Sequence, residues 1–283
     1  MVKASCTPVW LITGCSSGIG HALAGAVLRH GYRAVLAARR TSLLQSFVDE
    51  FPETAFVAEL DLTKSEQVAA VARNAEAHFG SIDVLVNNAG VGYLSAIEEG
   101  SDEDIRWQFE TNFFGPAALI RAVLPGMRER QHGHIINVSS VAGFVSHAGM
   151  GYYAASKFAV DGLTEALCQE LEPLGIKVVL VEPGGFRTGM VRRNRCGQQI
   201  PAYAGTAGAF RSFVQNAKDN LFPGDPARAA EVIINAVEAE EKPQRLVLGS
   251  DAYGAITTKL AALQSQYEAT ALVAQTTSFP SDE

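Results

Sequence analysis

Short apolar, β-branched runs alternate with segments whose apolar positions recur at helical spacing over most of the chain. Val9–Thr13 reads as a first buried strand and Ile19–His30 as a helix ended by Gly31. Ala34–Ala38 is a second strand, Thr41–Phe51 a helix stopped before Pro52, and Ala55–Asp61 a third strand. Ser65–Phe79 is a helix with Ser65 near its start and Gly80 at its end, followed by a fourth strand, Asp83–Asn87. Asp102–Arg130 is a long helical stretch interrupted near Gly115–Pro116, and His134–Ser139 a fifth strand. A helix over Tyr152–Leu174 precedes a sixth strand, Lys177–Glu182, and Arg245–Leu248 reads as a seventh.

Strands apolar on both faces and separated by helices predict an α/β fold, a single doubly wound parallel sheet with helices on both faces. No repeat or low-complexity stretch divides the chain, so residues 1–283 are expected to form one domain. Within it, residues 191–222 form a long connection mixing Gly, Ala, Gln, Tyr and Phe, which reads as a substrate-side flap. Sheets of this kind bind ligands at the carboxyl ends of their strands.

Composition narrows the partners. The formal net charge is −7, which disfavours nucleic acid and anionic membranes, since both require a basic face. No apolar run approaches the roughly 20 residues a membrane helix needs. The local basic group Arg192, Arg193 and Arg195 reads as a solvated loop in preference to a phosphate contact. Cys6, Cys15, Cys168 and Cys196 have no Cys-x-x-Cys spacing and read as reduced thiols of a cytoplasmic protein. The apolar run at Val9–Ile12 is too short for a secretory signal. The six histidines form no His-x-x-x-His pair, and no metal site is expected.

The loop after the first strand, Thr13-Gly14-Cys15-Ser16-Ser17-Gly18-Ile19-Gly20, opens directly into a helix. Its glycines allow a tight turn and close approach of a pyrophosphate to the helix N-terminus. No Gly-Lys-Ser/Thr ending makes it a phosphoryl-transfer loop. Where an NAD site commonly carries an acidic residue, about 19 residues beyond Gly20, the second strand ends in Arg39 and Arg40. Guanidinium groups pair with a 2′-phosphate, so NADP(H) is the preferred cofactor and NAD(H) a possible one. Asp61-Leu62 closes the third strand, either against an adenine or as a cap for the next helix. Asn87, Asn88, Ala89 and Gly90 end the fourth strand, where the amides can tie neighbouring strands together and border the same cleft.

Tyr153 and Lys157 lie four apart in a helical segment and project from one face. A free phenol titrates near pH 10, and a neighbouring ammonium is expected to lower that value enough for proton exchange. Ser139 and Ser140 end the fifth strand, and a hydroxyl there can stabilise charge developing on a carbonyl oxygen.

Together these residues resemble the short-chain dehydrogenase/reductase family. Thr13-Gly-x-x-x-Gly-x-Gly20, Asn87-Asn-Ala-Gly90, Asn112, Ser140, Tyr153-x-x-x-Lys157 and Pro183-Gly184 occur in the family's order, covering roughly residues 7 to 190. The resemblance implies a Rossmann-type fold and selects Ser140 over Ser139, because the family's serine precedes its tyrosine by about 13 residues. It implies Tyr153 as acid/base, Lys157 as its modulator and ribose ligand, Ser140 as orienter of the substrate oxygen, and Asn112 as holder of a proton-passing water. Thr188, after Pro183-Gly184, would bind the carboxamide, and Ser17 with Arg39 the 2′-phosphate. The implied cofactor residues are Gly14, Ser16, Ser17, Gly18, Ile19, Gly20, Arg39, Arg40, Asp61, Leu62, Asn88, Ala89, Gly90, Tyr153, Lys157, Pro183, Gly184 and Thr188. The glycine loop, Glu110-Thr-Asn-Phe-Phe-Gly115 and Leu248-Gly-Ser-Asp-Ala252 look like the 17β-hydroxysteroid dehydrogenase-like branch.

The expected activity is NADP(H)-dependent hydride transfer between nicotinamide and an apolar secondary alcohol or ketone. His147 and Phe186, beside Ser140 and Tyr153, are expected at the substrate. Tyr203, Phe210, Phe213 and Phe222 of the flap either line a pocket with Tyr93, Phe144, His147 and Met150 or pack the flap onto the body. A 3-oxoacyl thioester reductase would use the same chemistry behind a basic entrance, and a non-enzymatic NADPH-binding redox sensor is the reading from another class. The family resemblance implies a homodimer or homotetramer, for which apolar positions around Asp102–Arg130 and Ala154–Leu171 leave room.

Overall fold

The computed structural model describes residues 7–279; Cys6 and residues 280–283 lie outside them. Seven parallel strands form the sheet: β1 (Val9–Thr13), β2 (Arg33–Ala38), β3 (Ala55–Glu59), β4 (Val84–Asn87), β6 (Gly133–Val138), β7 (Ile176–Pro183) and β9 (Arg245–Leu248). The two strands missing from that series, β5 (Tyr93–Leu94) and β8 (Arg195–Cys196), pair with each other in a separate parallel ribbon. The spatial order is β3-β2-β1-β4-β6-β7-β9. It reverses between β1 and β4, which places the topological switch point at the glycine-rich loop after β1.

Successive side chains of a strand point to opposite faces, and β1 shows the consequence. Trp10 and Ile12 join one core cluster while Val9 and Leu11 join the other. The first cluster takes α1 (Gly18–Arg29), Phe47 of α2 (Gln45–Glu50), and α8 (Pro226–Glu238). The second takes α3 (Ser65–Phe79), α5 (Gly115–Arg130) and α6 (Gly151–Leu171). Both faces are therefore covered, as the unbroken apolar strands require.

The expected strands all form, most with boundaries shifted by a residue or two. Gly80 closes α3 at φ 84°, a conformation open to glycine without strain. The expected break in the helix after Asp102 lies one turn earlier than Gly115–Pro116. α4 (Asp102–Phe109) is capped by the Ser101 side chain, and a π-helical turn, Glu110–Phe114, joins it to α5. Pro116 stands in the first turn of α5, directly after the π-helical turn.

Of the elements after β7, the helix α8 escaped the sequence reading. α8 opens on Asp225, whose side chain accepts the Ala227 N–H, with Pro226 beside it, and buries Ala229, Ala230, Ile233, Ile234 and Val237. The flap segment is built rather than irregular: it contains β8, a π-helical turn over Ala204–Gly208 and α7 (Ala209–Asn216). α9 (Ser250–Gln275) buries Ala252 near its start and leaves most of its length exposed. No helix among the described residues is long and apolar enough to cross a membrane.

Candidate active site

The glycine loop is shaped by contacts that leave no room for side chains. Gly14 and Gly18 hold φ of 77° and 63°. A Cβ on Gly20 would lie 2.3 Å from Asn88 Nδ2 and 2.7 Å from the Gly14 carbonyl oxygen. The loop is tied to β2 by the Gly14 and Cys15 N–H groups, both donating to the Ala37 carbonyl. Cys15 is inert here, its thiol pushed up to about 12 by burial and its Sγ donating to the Ile12 carbonyl.

Asn88 holds the loop from the neighbouring strand. Its Nδ2 donates to the Thr13 carbonyl at 2.8 Å, and its own N–H and that of Ala89 donate to Thr13 Oγ1. Asn87 donates to Asn137 Oδ1 at 2.9 Å, tying β4 to β6 as the sequence suggested. Gly90 carries this shelf to the catalytic side: a Cβ there would sit 3.6 Å from both Asn112 Oδ1 and Lys157 Nζ.

These residues fit a dinucleotide. The N-terminus of α1 has no side-chain cap and no acidic residue in its first turn, so its N–H groups and dipole remain available to a phosphate. Arg40 Nη2 donates to Ser16 Oγ at 3.4 Å, reaching the loop from the end of β2. That contact belongs to Arg40; Arg39, chosen with Ser17 from the sequence, is exposed beside it. Asp61 Oδ1 accepts from the N–H and hydroxyl of Thr63 in a local turn; it does not cap α3, whose N-cap is Lys64 with no side-chain bond, and Leu62 is buried.

Beyond β7, Gly184 donates to the Leu248 carbonyl, and the Gly185 N–H donates to Asp251 Oδ2 at 2.7 Å. Asp251, from the first turn of α9, thus braces the Pro183-Gly184 turn from a distant part of the chain. Thr188 closes over the glycine loop, its Cβ 2.9 Å from where a Gly18 Cβ would stand.

Ser140, Tyr153, Lys157 and Asn112 come together at the ends of β6 and α6. Ser140 Oγ accepts the Ala142 N–H at 3.1 Å and stands close enough to the Tyr153 phenol to favour its ionised form. Its neighbour Ser139 turns the other way, donating to Asp161 Oδ1 at 2.5 Å in the interior. The geometry separates two serines that the strand pattern alone left equivalent. Tyr153 is buried, and burial pushes its phenol up, with the Ser140 hydroxyl opposing.

Lys157 Nζ lies 6.0 Å from the Tyr153 ring centroid and donates to the Val138 carbonyl at 2.9 Å. Burial brings its amine down to about 8, opposed by the carboxylate of Asp161 one turn away. The expected lowering of the phenol by this ammonium therefore has no counterpart in this geometry. The amine is aimed at a backbone carbonyl, and desolvation governs the phenol.

Asn112 is buried in the π-helical turn. Its Oδ1 accepts the Val91 N–H, and its Nδ2 donates to the Val91 carbonyl and Ser156 Oγ. Both the oxygen and the nitrogen of the Asn112 side-chain amide are thus engaged.

The expected substrate residues separate. His147 stacks on Phe210 of α7, centroids 5.8 Å apart, joining the flap to the loop after β6. Phe186 packs on Gly224 and the core and lines a surface hollow of about 770 Å³ with Pro223, Pro226, Val232 and Leu248. Tyr93 is buried and accepts the Ser101 N–H, while Tyr203 donates to Glu98. For these two the packing alternative describes the structure.

Sequence reasoning missed one buried ion pair and one cluster of two buried carboxylates on a half-exposed arginine. Glu99 and Arg211 pair at 2.5 Å, and Asp161 and Glu182 share Arg245 of β9 at 3.4 and 3.1 Å. Their members lie far apart in the chain, and no local spacing announces them.

A family model described as short chain dehydrogenase matches residues 8–199. The chain belongs to the short-chain dehydrogenase family. A solved short-chain dehydrogenase from Streptomyces avermitilis is 41% identical, with a TM-score of 0.89 over 96% of this chain and 100% of that one. A 3-ketodihydrosphingosine reductase of Bacteroides thetaiotaomicron is 35% identical over 84% of this chain and 87% of its own. Two solved Burkholderia short-chain dehydrogenases, each 27% identical, are complexes with NADP (B. cenocepacia; TM-score 0.72, 93% of this chain, 96% of that one) and with NAD (B. phymatum; 0.77, 98% and 97%). This short-chain dehydrogenase is an NAD(P)-dependent oxidoreductase acting by hydride transfer.

Proposed function

We propose that the protein is a carbonyl reductase/alcohol dehydrogenase for an apolar secondary alcohol or ketone, with Tyr153 as its acid/base. The observation that carries this reading is the buried Tyr153 phenol beside Ser140, with Lys157 Nζ 6.0 Å from its ring and next to the shelf that ends in Gly90. Bound dinucleotide supplies hydride to the carbonyl carbon or takes it from the alcohol. Ser140 holds the substrate oxygen and steadies the negative charge developing on it. Tyr153 gives that oxygen its proton, and burial, by keeping the phenol protonated, suits it to the reductive direction. Lys157 holds the ribose, and Asn112 holds the water through which Tyr153 regains its proton.

Gly14, Gly18, Gly20 and the N-terminus of α1 hold the pyrophosphate, with Arg40 and Arg39 on the 2′-phosphate side. Two arginines where an NAD site carries a carboxylate favour NADP(H), with NAD(H) as the secondary cofactor. The adenine rests near Asp61 and Leu62, and the nicotinamide near Pro183, Gly184 and Thr188.

An apolar substrate is supported by the aromatic wall that His147 and Phe210 begin, and by the lipid-like substrate in the name of the Bacteroides relative. The loops Ile12–Gly20, Glu110–Gly115 and Leu248–Ala252 support placement in the 17β-hydroxysteroid dehydrogenase-like branch. The chain then acts as one domain, in the cytoplasm, with residues 191–222 as the substrate-side flap. Phe114 and Phe158, both about half exposed, favour association of copies as a homodimer or homotetramer. The thioester-reductase alternative is weakened, because two of the three arginines of its basic entrance, Arg192 and Arg195, are paired with Asp219 and Asp104.

The test is NADPH oxidation across a panel of apolar ketones, aldehydes and 3-oxoacyl thioesters. Turnover led by the ketones is expected; turnover confined to the thioesters would overturn the substrate reading.

A further inference from the structure

The three arginines that open the flap have different surroundings. Arg192 pairs with Asp219 at 2.7 Å. Arg195 pairs with Asp104 at 2.7 Å and lies 3.8 Å over the Trp107 ring. Among the described residues Arg193 has no carboxylate within ion-pair distance; it donates to the Thr188 carbonyl at 3.2 Å. Like the other two it is exposed, but unlike them it is tied to the backbone beside the glycine loop instead of to a carboxylate.

Arg193 is held toward the dinucleotide loop. The Thr188 to which it is anchored sits on Gly18, and its Nη1 lies 3.7 Å from where a Gly189 Cβ would stand. Arg193 is exposed, and its partial desolvation together with the charge of Arg40 lowers its affinity for its proton. Arg40 in turn donates to Ser16 of the same loop and has no ion-pair partner among the described residues. One guanidinium from the end of β2 is bonded to Ser16 and one from the flap to Thr188, which sits on Gly18, so both flank a loop that leads into an uncapped helix N-terminus. Two cations without a carboxylate partner beside such a loop leave a site that an anion completes.

We propose that Arg193 is a phosphate ligand for the dinucleotide, reaching it from the flap on the side opposite Arg40. The inference rests on the dinucleotide reading above and adds a residue outside the glycine loop and the end of β2. Arg193 ends the 3-10 turn Val191–Arg193, where the flap begins. A phosphate held by it therefore also fixes the start of the substrate-side wall, so that cofactor binding comes to order the site where the substrate follows.

The test is calorimetric titration of the full-length protein with NADPH, NADH, ADP and 2′-AMP, comparing wild type, Arg193→Gln, Arg193→Lys and Arg192→Gln. Arg193→Gln is expected to weaken NADPH roughly 10- to 100-fold, as for loss of a charge-assisted hydrogen bond. Arg193→Lys should restore part of that loss, and Arg192→Gln should leave binding near the wild-type value. Loss on NADPH and 2′-AMP alone assigns the contact to the 2′-phosphate; equal loss on NADPH, NADH and ADP assigns it to the pyrophosphate. Unchanged binding of all four by Arg193→Gln, with its melting temperature retained, overturns the proposal, as does an equal loss in Arg192→Gln. Wild-type protein that binds none of the four would instead remove the dinucleotide reading itself.

Discussion

Arg211 and Glu99 form an ion pair at 2.5 Å, with side chains only 2% and 1% exposed. Glu99 also accepts the Ala96 and Ile200 N–H groups, and these hydrogen bonds, with the guanidinium, hold its carboxyl below the usual carboxylate range. Arg211 also donates to the Gly197 carbonyl. The pair joins α7 to the segment after β5, so the flap is latched to the body by buried charge.

Arg211→Met is therefore expected to cost about 3–5 kcal/mol, because Glu99 is left charged and without its cation in the interior. Urea denaturation measures the loss, and limited proteolysis should show cleavage between residues 191 and 216. The double variant Glu99→Gln/Arg211→Met should be more stable than Arg211→Met alone. A single-variant loss below about 1 kcal/mol would place the pair among weak surface contacts.

The adjacent serines should fail in different ways. Ser140→Ala is expected to lower kcat by about 100- to 1,000-fold with stability near wild type, as when one donor to a developing oxyanion is removed. Ser139→Ala should cost about 1–3 kcal/mol of stability by stripping Asp161 of its hydrogen bond, while kcat changes far less. Steady-state kinetics and chemical denaturation on both variants check the assignment, and the opposite pattern would reverse the roles.

Lys157 sets a pH limit. With its amine brought down to about 8, it is a cation below that pH and neutral above it. kcat/KM for the dinucleotide reports groups of the free enzyme, so it should fall as pH rises through about 8. Measurement from pH 6 to 10 at saturating ketone checks this; a profile flat to pH 10 would show that the cationic form is not needed.

The fold was legible because a doubly covered parallel sheet needs strands apolar on both faces, and Val9–Thr13 or Ile176–Pro183 can be little else. The site was legible where its chemistry is local: glycines in one loop, Tyr153 and Lys157 one turn apart. Residues joined only by folding left no trace. Glu99 and Arg211 are 112 positions apart and Asp161 and Arg245 are 84 apart, so neither pairing has a period to detect. Two-residue strands such as β5 and β8 are too short for alternation to register. α8 differs, since Asp225-Pro226 and its apolar face were visible in the chain and were passed over. The direction of the Tyr153 shift also went unread, because desolvation depends on the surroundings of a side chain and not on its neighbours in sequence.

Tyr153→Phe keeps the ring and removes the hydroxyl from which all the proposed proton chemistry proceeds. Dinucleotide affinity and kcat should be measured on the same preparation of this variant. The predicted result is a Kd within about threefold of wild type and a kcat lowered by about 100- to 10,000-fold, the range for loss of a general acid. A kcat within tenfold of wild type would contradict the account.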